Sequence, residues 1–153
     1  MAFQFRFQSL LRYREHLRSE AQSELANAIR RHERAVQLLD AARRQRRKLQ
    51  ENMEQRQRAG ISVEDYVTLA DYLALMERQL GMMEREVLQF GQEVLAAKEQ
   101  VLRRQTDVRM LECIETSDRA TYRKVQSRRE RAQIDENAIV RDARMRREVP
   151  PKD

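Results

Sequence analysis

Eleven apolar positions recur at alternating steps of three and four residues: Tyr66, Leu69, Leu73, Met76, Leu80, Met83, Val87, Phe90, Val94, Ala97 and Val101. A stripe that repeats every 3.5 residues keeps facing one partner only if the two helices wind around each other left-handedly. The register therefore predicts a long helix in a coiled coil rather than one packed in a globular core. Arg104 interrupts it, Val108 and Leu111 restore it, Glu115 and Asp118 interrupt it again, and Tyr122 and Val125 resume it. Little else is open to this chain. Its 153 residues include only 3 Gly and 2 Pro, the prolines adjacent at Pro150 and Pro151, so the tight turns of a sheet have nothing to be built from. Charged residues make up 37% of the chain, well above an average globular share of roughly 25%. The predicted fold class is all-α.

The corner is written just before the register. Ser62 stands as a helix cap, Asp65 follows three residues later as a short version of the capping-box acid, and Ile61 with Tyr66 occupies the hydrophobic-staple positions. Gly60 precedes them all. A first coiled-coil helix over 1–58, a turn at 59–61 and a second helix from 62 make a long antiparallel hairpin. Carried to about Arg147, the second helix would run roughly 130 Å at 1.5 Å per residue.

The first arm has its own seam. Ala21, Ala28, Ala35, Ala42 and Leu49 form one column at seven-residue spacing, and Leu25, His32, Leu39, Arg46 and Met53 form its neighbour. Small residues here face Leu, Met, Val and Phe on the second arm, a pairing that suits closely packed helices. Leu10 and Leu17 follow the stripe only with a one-residue slip near Ala21–Leu25, which predicts a local change of winding. Charge agrees with the pairing. Residues 1–60 carry 14 Lys and Arg against 7 Asp and Glu, residues 61–118 carry 6 against 12, and residues 119–153 carry 11 against 6. A basic arm thus folds on an acidic one. With the corner at 60, residue i faces about 120 − i, which sets Phe5 near Glu115. Residues 119–153 remain as a basic C-terminal helical overhang with a frayed Pro150-Pro151 end.

The same composition excludes most chemistry. No glycine-rich phosphate loop is present, and one Cys with two His, sixteen residues apart, cannot build a closed zinc site. The chain reads as a non-enzyme without a cofactor. The lone Cys113 suits a reducing compartment, and Arg6 and Arg12 break the N-terminal apolar run below the length of a signal core or membrane span, so the expected location is cytoplasmic. The Phe3, Phe5, Phe7, Leu10 and Leu11 cluster reads either as a lipid anchor, with Phe3, Phe7, Leu10 and Leu11 on one helical face, or as packing near Tyr122 and Val125 or on another protein. The Arg43-Arg44-x-Arg46-Arg47-Lys48 run reads as a solvated coiled-coil face, since five charges in six helical residues spread around the cylinder. With the net charge of +6, it leaves a nucleic-acid or anionic-surface binder, or a plain basic coiled-coil scaffold, as alternative readings. Gly81 and Gly91 lie one step off the seam, as points of close approach or as tolerated breaks in propensity.

Two end motifs resemble a known family. The opening Phe3-x-Phe5-x-Phe7-Gln8-Ser9-Leu10-Leu11-x-x-Arg14-Glu15, leading into Glu20-Ala21 and Leu25-Ala26, is similar to the start of the flagellar export FliJ family, with Phe7 where Leu is commoner. The tail stretch Arg129-Glu130-x-x-x-x-Asp135-Glu136-x-Ala138 is similar to its C-terminal signature. The resemblance implies a stalk-like antiparallel coiled coil of the bacterial flagellar type III export apparatus. Such a protein would associate with the ring-forming export ATPase FliI and its regulator FliH, contact the membrane export gate FlhA and handle substrate chaperones. It would sit at the cytoplasmic face of the inner membrane at the flagellar base. On that footing, position along the hairpin assigns Arg12, Arg14, Arg18, Arg123, Lys124, Arg128 and Arg129 to the ATPase, and Leu38, Arg44 and Tyr72 to the gate.

Overall fold

Two α-helices, α1 over Gln8–Ala59 and α2 over Val63–Glu148, make up the computed structural model, which describes residues 3–148. They pack antiparallel as an all-α hairpin, and no strand occurs among the described residues. The fold class is the one the apolar register predicts. α1 runs 52 residues without a Gly or Pro, and α2 runs 86 residues with only Gly81 and Gly91 inside it. No residue in either helix lacks the backbone N–H that the hydrogen-bond ladder needs. The fraying expected at Pro150 and Pro151 lies outside the described residues.

The corner is three residues long. Gly60 adopts a φ of +92°, a left-handed conformation in which a Cβ would crowd the following carbonyl, and its N–H closes the end of α1 on the Gln57 carbonyl at 3.4 Å. Ser62 then caps α2. Its Oγ accepts the Asp65 N–H at 3.1 Å and its carbonyl accepts the Tyr66 N–H at 3.0 Å, so one of the donors orphaned at a helix start is satisfied by the side chain.

The start of α1 departs from the sequence reading. The helix begins at Gln8 rather than at residue 1, and Phe3–Phe7 lie outside it. Phe7 has no side-chain oxygen to cap with. Instead the Gln8 N–H donates to the Phe5 carbonyl at 3.2 Å, and the Leu11 N–H makes the first full helical bond to the Phe7 carbonyl at 2.9 Å. Phe3 and Phe7 therefore do not share a helical face with Leu10 and Leu11.

The described chain forms two compact units, one of residues 3–14 with 106–148, the other of residues 15–105. In the second, the seam is the small-against-large interface read from the sequence. Ala21, Ala28, Ala35, Leu39 and Met53 of α1 and Met76 of α2 are buried, and the other α2 seam residues from Leu69 to Val101 are half-buried, as two helices alone cannot fully enclose a stripe. Arginines on α1 meet acids on α2 across it: Arg31 with Glu93 at 3.4 Å, Arg43 with Glu84 at 2.8 Å and Arg46 with Glu77 at 2.6 Å. Each is more than a third exposed and contributes up to about 1 kcal/mol, enough to choose among registers but not to drive folding. Their residue numbers add to between 123 and 127, so facing residues are offset by several positions from the 120 − i rule. Part of the offset is the corner, whose centre lies at Ile61 and not at Gly60 and so raises the facing sum to 122.

No slip occurs in the first arm. The seam continues upstream from Ala21 through Arg18, Arg14 and Leu11 in steps of three, four and three; Leu11 is 5% exposed and Leu10 40%. The change of winding expected near Ala21–Leu25 came from treating charged heptad positions as breaks. Arg14 and Arg18 are half-buried seam residues.

Candidate partner-binding surfaces

In the first unit, the N-terminal residues fold onto α2 as a small apolar knot. Phe5, Leu11 and Val108 are buried, with Phe3, Phe7 and Leu111 packed around them, and Val108 is fully enclosed. Phe3 stacks at a tilt on Tyr122, ring centroids 5.6 Å apart, and Phe5 meets Phe7 edge-on at 5.8 Å. Arginines cover the rim: Arg6 lies 4.4 Å over the Phe7 ring and Arg119 lies 5.5 Å over Phe3, while Arg119 also reaches Glu115 at 2.7 Å. The aromatic opening is thus a packing motif, and its rings face protein near Tyr122. Leu10 is the member of that motif left toward solvent.

The arginines assigned to the ATPase divide by environment. Arg14 donates to Asp107 at 2.9 Å in a half-buried ion pair, and Arg18, in the second unit, is half-buried in the seam. Arg12, Arg123, Lys124, Arg128 and Arg129 are exposed. From residue 127 to 146 every described side chain is exposed, Asp135 and Glu136 among them. The sequence reading passed over Arg131. Lys124, Arg128 and Arg131 follow one another at steps of four and three, so they line one face of the basic helix, with Arg123 and Arg129 set around from it. The i, i+4, i+7 spacing carried that signal all along.

In the second unit, Leu38, Arg44 and Tyr72 are exposed but do not form one patch. Leu38 rims a groove of about 270 Å³ with Arg34, Ala35, Met83, Glu86 and Phe90. Tyr72 stands about fourteen residues earlier on α2, roughly 20 Å along the helix. The basic run beside Arg44 is partly neutralised, because Arg43 and Arg46 are held by Glu84 and Glu77.

The remaining chemistry-bearing residues are dispersed. His16 pairs with Glu20 at 3.2 Å, His32 lies against Gly91, and Cys113 is exposed with a free thiol. Among the described residues no group of His, Cys, Asp and Glu is placed to hold a metal, and no helix is long and apolar enough to cross a membrane.

Comparison with curated proteins and with solved structures finds no match in either set. The model of the family described as Flagellar FliJ protein matches residues 3–147, from the aromatic knot to the end of the basic helix. The chain belongs to the flagellar FliJ family and is a component of flagellar protein export.

Proposed function

We propose that this chain hydrolyses nothing itself and acts as a stalk that binds and stimulates the export ATPase ring, and that it links the ring to the membrane export gate and to substrate chaperones. The observation that carries this reading is the bare basic stretch of α2. Beyond the Phe3–Tyr122 contact, Arg123, Lys124, Arg128, Arg129 and Arg131 are exposed on a continuous helix. A rigid helix that presents charge without an intramolecular partner can stabilise one arrangement of a ring's subunits over others, and only such differential binding changes a ring's turnover. Arg12 adds a further exposed charge from α1, whereas Arg14 serves its ion pair with Asp107 first. The gate assignment keeps Leu38 with its groove as the better-formed contact, with Arg44 and Tyr72 as separate ones. Partner binding at the cytoplasmic face of the membrane requires no span of its own.

The test is the ATPase rate of FliI with and without this chain. The wild-type protein should raise the rate, and charge reversal of Lys124, Arg128 and Arg131 together should abolish the increase while leaving helicity unchanged. Full stimulation by that triple variant would remove the basic helix from the mechanism. Loss of FlhA binding on Leu38→Ala tests the gate contact independently. Binding to arbitrary DNA that weakens steeply with salt would favour the anionic-surface alternative.

A further inference from the structure

Helix α2 carries a second apolar stripe, one position past the Leu73–Val101 column of its seam. Ala74, Gly81, Leu88, Leu95 and Leu102 recur at seven-residue intervals, and the three leucines are 69%, 62% and 62% exposed. Seven-residue spacing keeps them on one line of a supercoiled helix, next to but distinct from the seam. Nothing in the flagellar assignment uses this line. Three exposed leucines in register at seven-residue spacing mark a docking surface rather than the scattered apolar residues of an ordinary exterior.

The stripe is graded in size. Its N-terminal half is small, and around Ala74 and Gly81 lies a shallow hollow of about 850 Å³ that Leu75, Arg78, Met82 and Arg85 help to line. Nothing lies within 4 Å of where a Cβ on Gly81 would be. Its C-terminal half is large. A surface that is small at one end and large at the other complements itself when a copy is laid against it in the opposite direction, which is the geometry of a two-fold interface.

We infer that this stripe of α2 binds a second copy of this chain, antiparallel and centred on Leu88. In this register Ala74 receives Leu102 of the copy, Gly81 receives Leu95, and Leu88 meets Leu88. The flanks agree. Residues three positions after each stripe member lie on one side and those four positions after on the other, and two-fold symmetry sets each side against itself. Arg78 then meets Glu99 on one flank, twice per dimer, and on the other Lys98 comes level with Glu77, whose carboxylate Arg46 of its own chain already holds. Sliding the copies by one heptad toward the small half sets Glu84 against Glu84 and Arg85 against Arg85, and a further heptad sets Glu77 against Glu84 and Arg78 against Arg85. Sliding the other way keeps opposite charges but drops a level of the stripe and forces Leu88 onto Leu95. Size and charge together select the register centred on Leu88.

Sedimentation of the full chain over a range of concentrations tests the association. The protein should shift from monomer to dimer as concentration rises, and Leu88→Lys should weaken the association by about tenfold or more, since it places two like charges at the centre of the interface. Leu88 is too exposed for this change to disturb the hairpin, and an unchanged melting temperature checks that. Arg78→Glu should weaken the dimer and Arg78→Glu with Glu99→Arg should restore it. In a Cys113→Ser background, Leu88→Cys should form a disulfide-linked dimer on mild oxidation. Leu102→Cys should cross-link poorly to itself and readily to Ala74→Cys. A chain monomeric at every concentration, a dimer indifferent to Leu88→Lys, or Leu102→Cys cross-linking to itself as readily as Leu88→Cys would each overturn the inference.

Discussion

Leu10 and Leu11 are neighbours of the same type, and the structure assigns them opposite tasks. Leu11 lies in the seam, 5% exposed, and closes the knot with Phe5 and Val108, whereas Leu10 stands 40% exposed on the next position around the helix. A two-helix protein has few enclosed sites, and Val108 is the one large side chain fully buried among the described residues, so each residue that covers it carries an unusual share of the local packing. Leu11→Ala should lower stability by about 2 to 3 kcal/mol, because it leaves a void that the short N-terminal segment cannot refill, and Leu10→Ala by well under about 1 kcal/mol. Chemical denaturation of both variants checks the contrast. Equal losses would mean that the seam enters α1 through Leu10. The aromatic opening of the chain follows the same rule: its alternating phenylalanines supply surface that packs on α2, and the arginines beside them lie over the rings rather than pointing to a partner.

At the scale of the helices, the corner sets the register of everything that faces across the hairpin. Gly60 holds a φ of +92° with no other residue within 4 Å of where a Cβ would stand, so the penalty for a side chain there comes from its own backbone and not from a neighbour in the fold. Gly60→Ala should destabilise the hairpin by about 1 kcal/mol, and Gly60→Asn by less, since Asn tolerates the left-handed region better. Thermal melts that place Ala and Asn together would show that the turn relaxes to another conformation. The corner, the α2 seam and the basic-on-acidic pairing were legible in the sequence because each is local or periodic: Gly60 and Ser62 announce a turn, and the 3.5-residue spacing survives averaging over ten turns. What was not legible depended on the opposite strand of the coiled coil. Arg14 looked like a surface charge because nothing in α1 shows that Asp107 waits across the seam to pair with it at 2.9 Å. The start of α1 was misplaced for a related reason. Phe3, Phe7, Leu10 and Leu11 satisfy a helical face on paper, but a helix start lacking any side-chain cap gives way to an irregular segment once the rings can pack on Val108 and Tyr122.

Across the whole molecule, charge alternates by segment, and only two of the three segments neutralise each other. The net charges are +7 for residues 1–60, −6 for 61–118 and +5 for 119–153, and every ion pair across the hairpin among the described residues joins an arginine of α1 to an acid of α2. The third segment keeps its charge. Past residue 126 no described side chain is even half-buried, so this stretch adds little to the stability of the hairpin, and a helix that long is retained at some entropic cost unless it serves contact with another molecule. Ending the chain after Ser127 should therefore leave the melting temperature within about 2 °C of the full-length value, because the knot and the seam are intact. The same truncation should remove stimulation of the export ATPase. The two readouts separate the possibilities: a large fall in melting temperature would make the C-terminal helix part of the fold, and undiminished stimulation would move the ATPase contact to Arg12, Arg123, Lys124 and the hairpin proper.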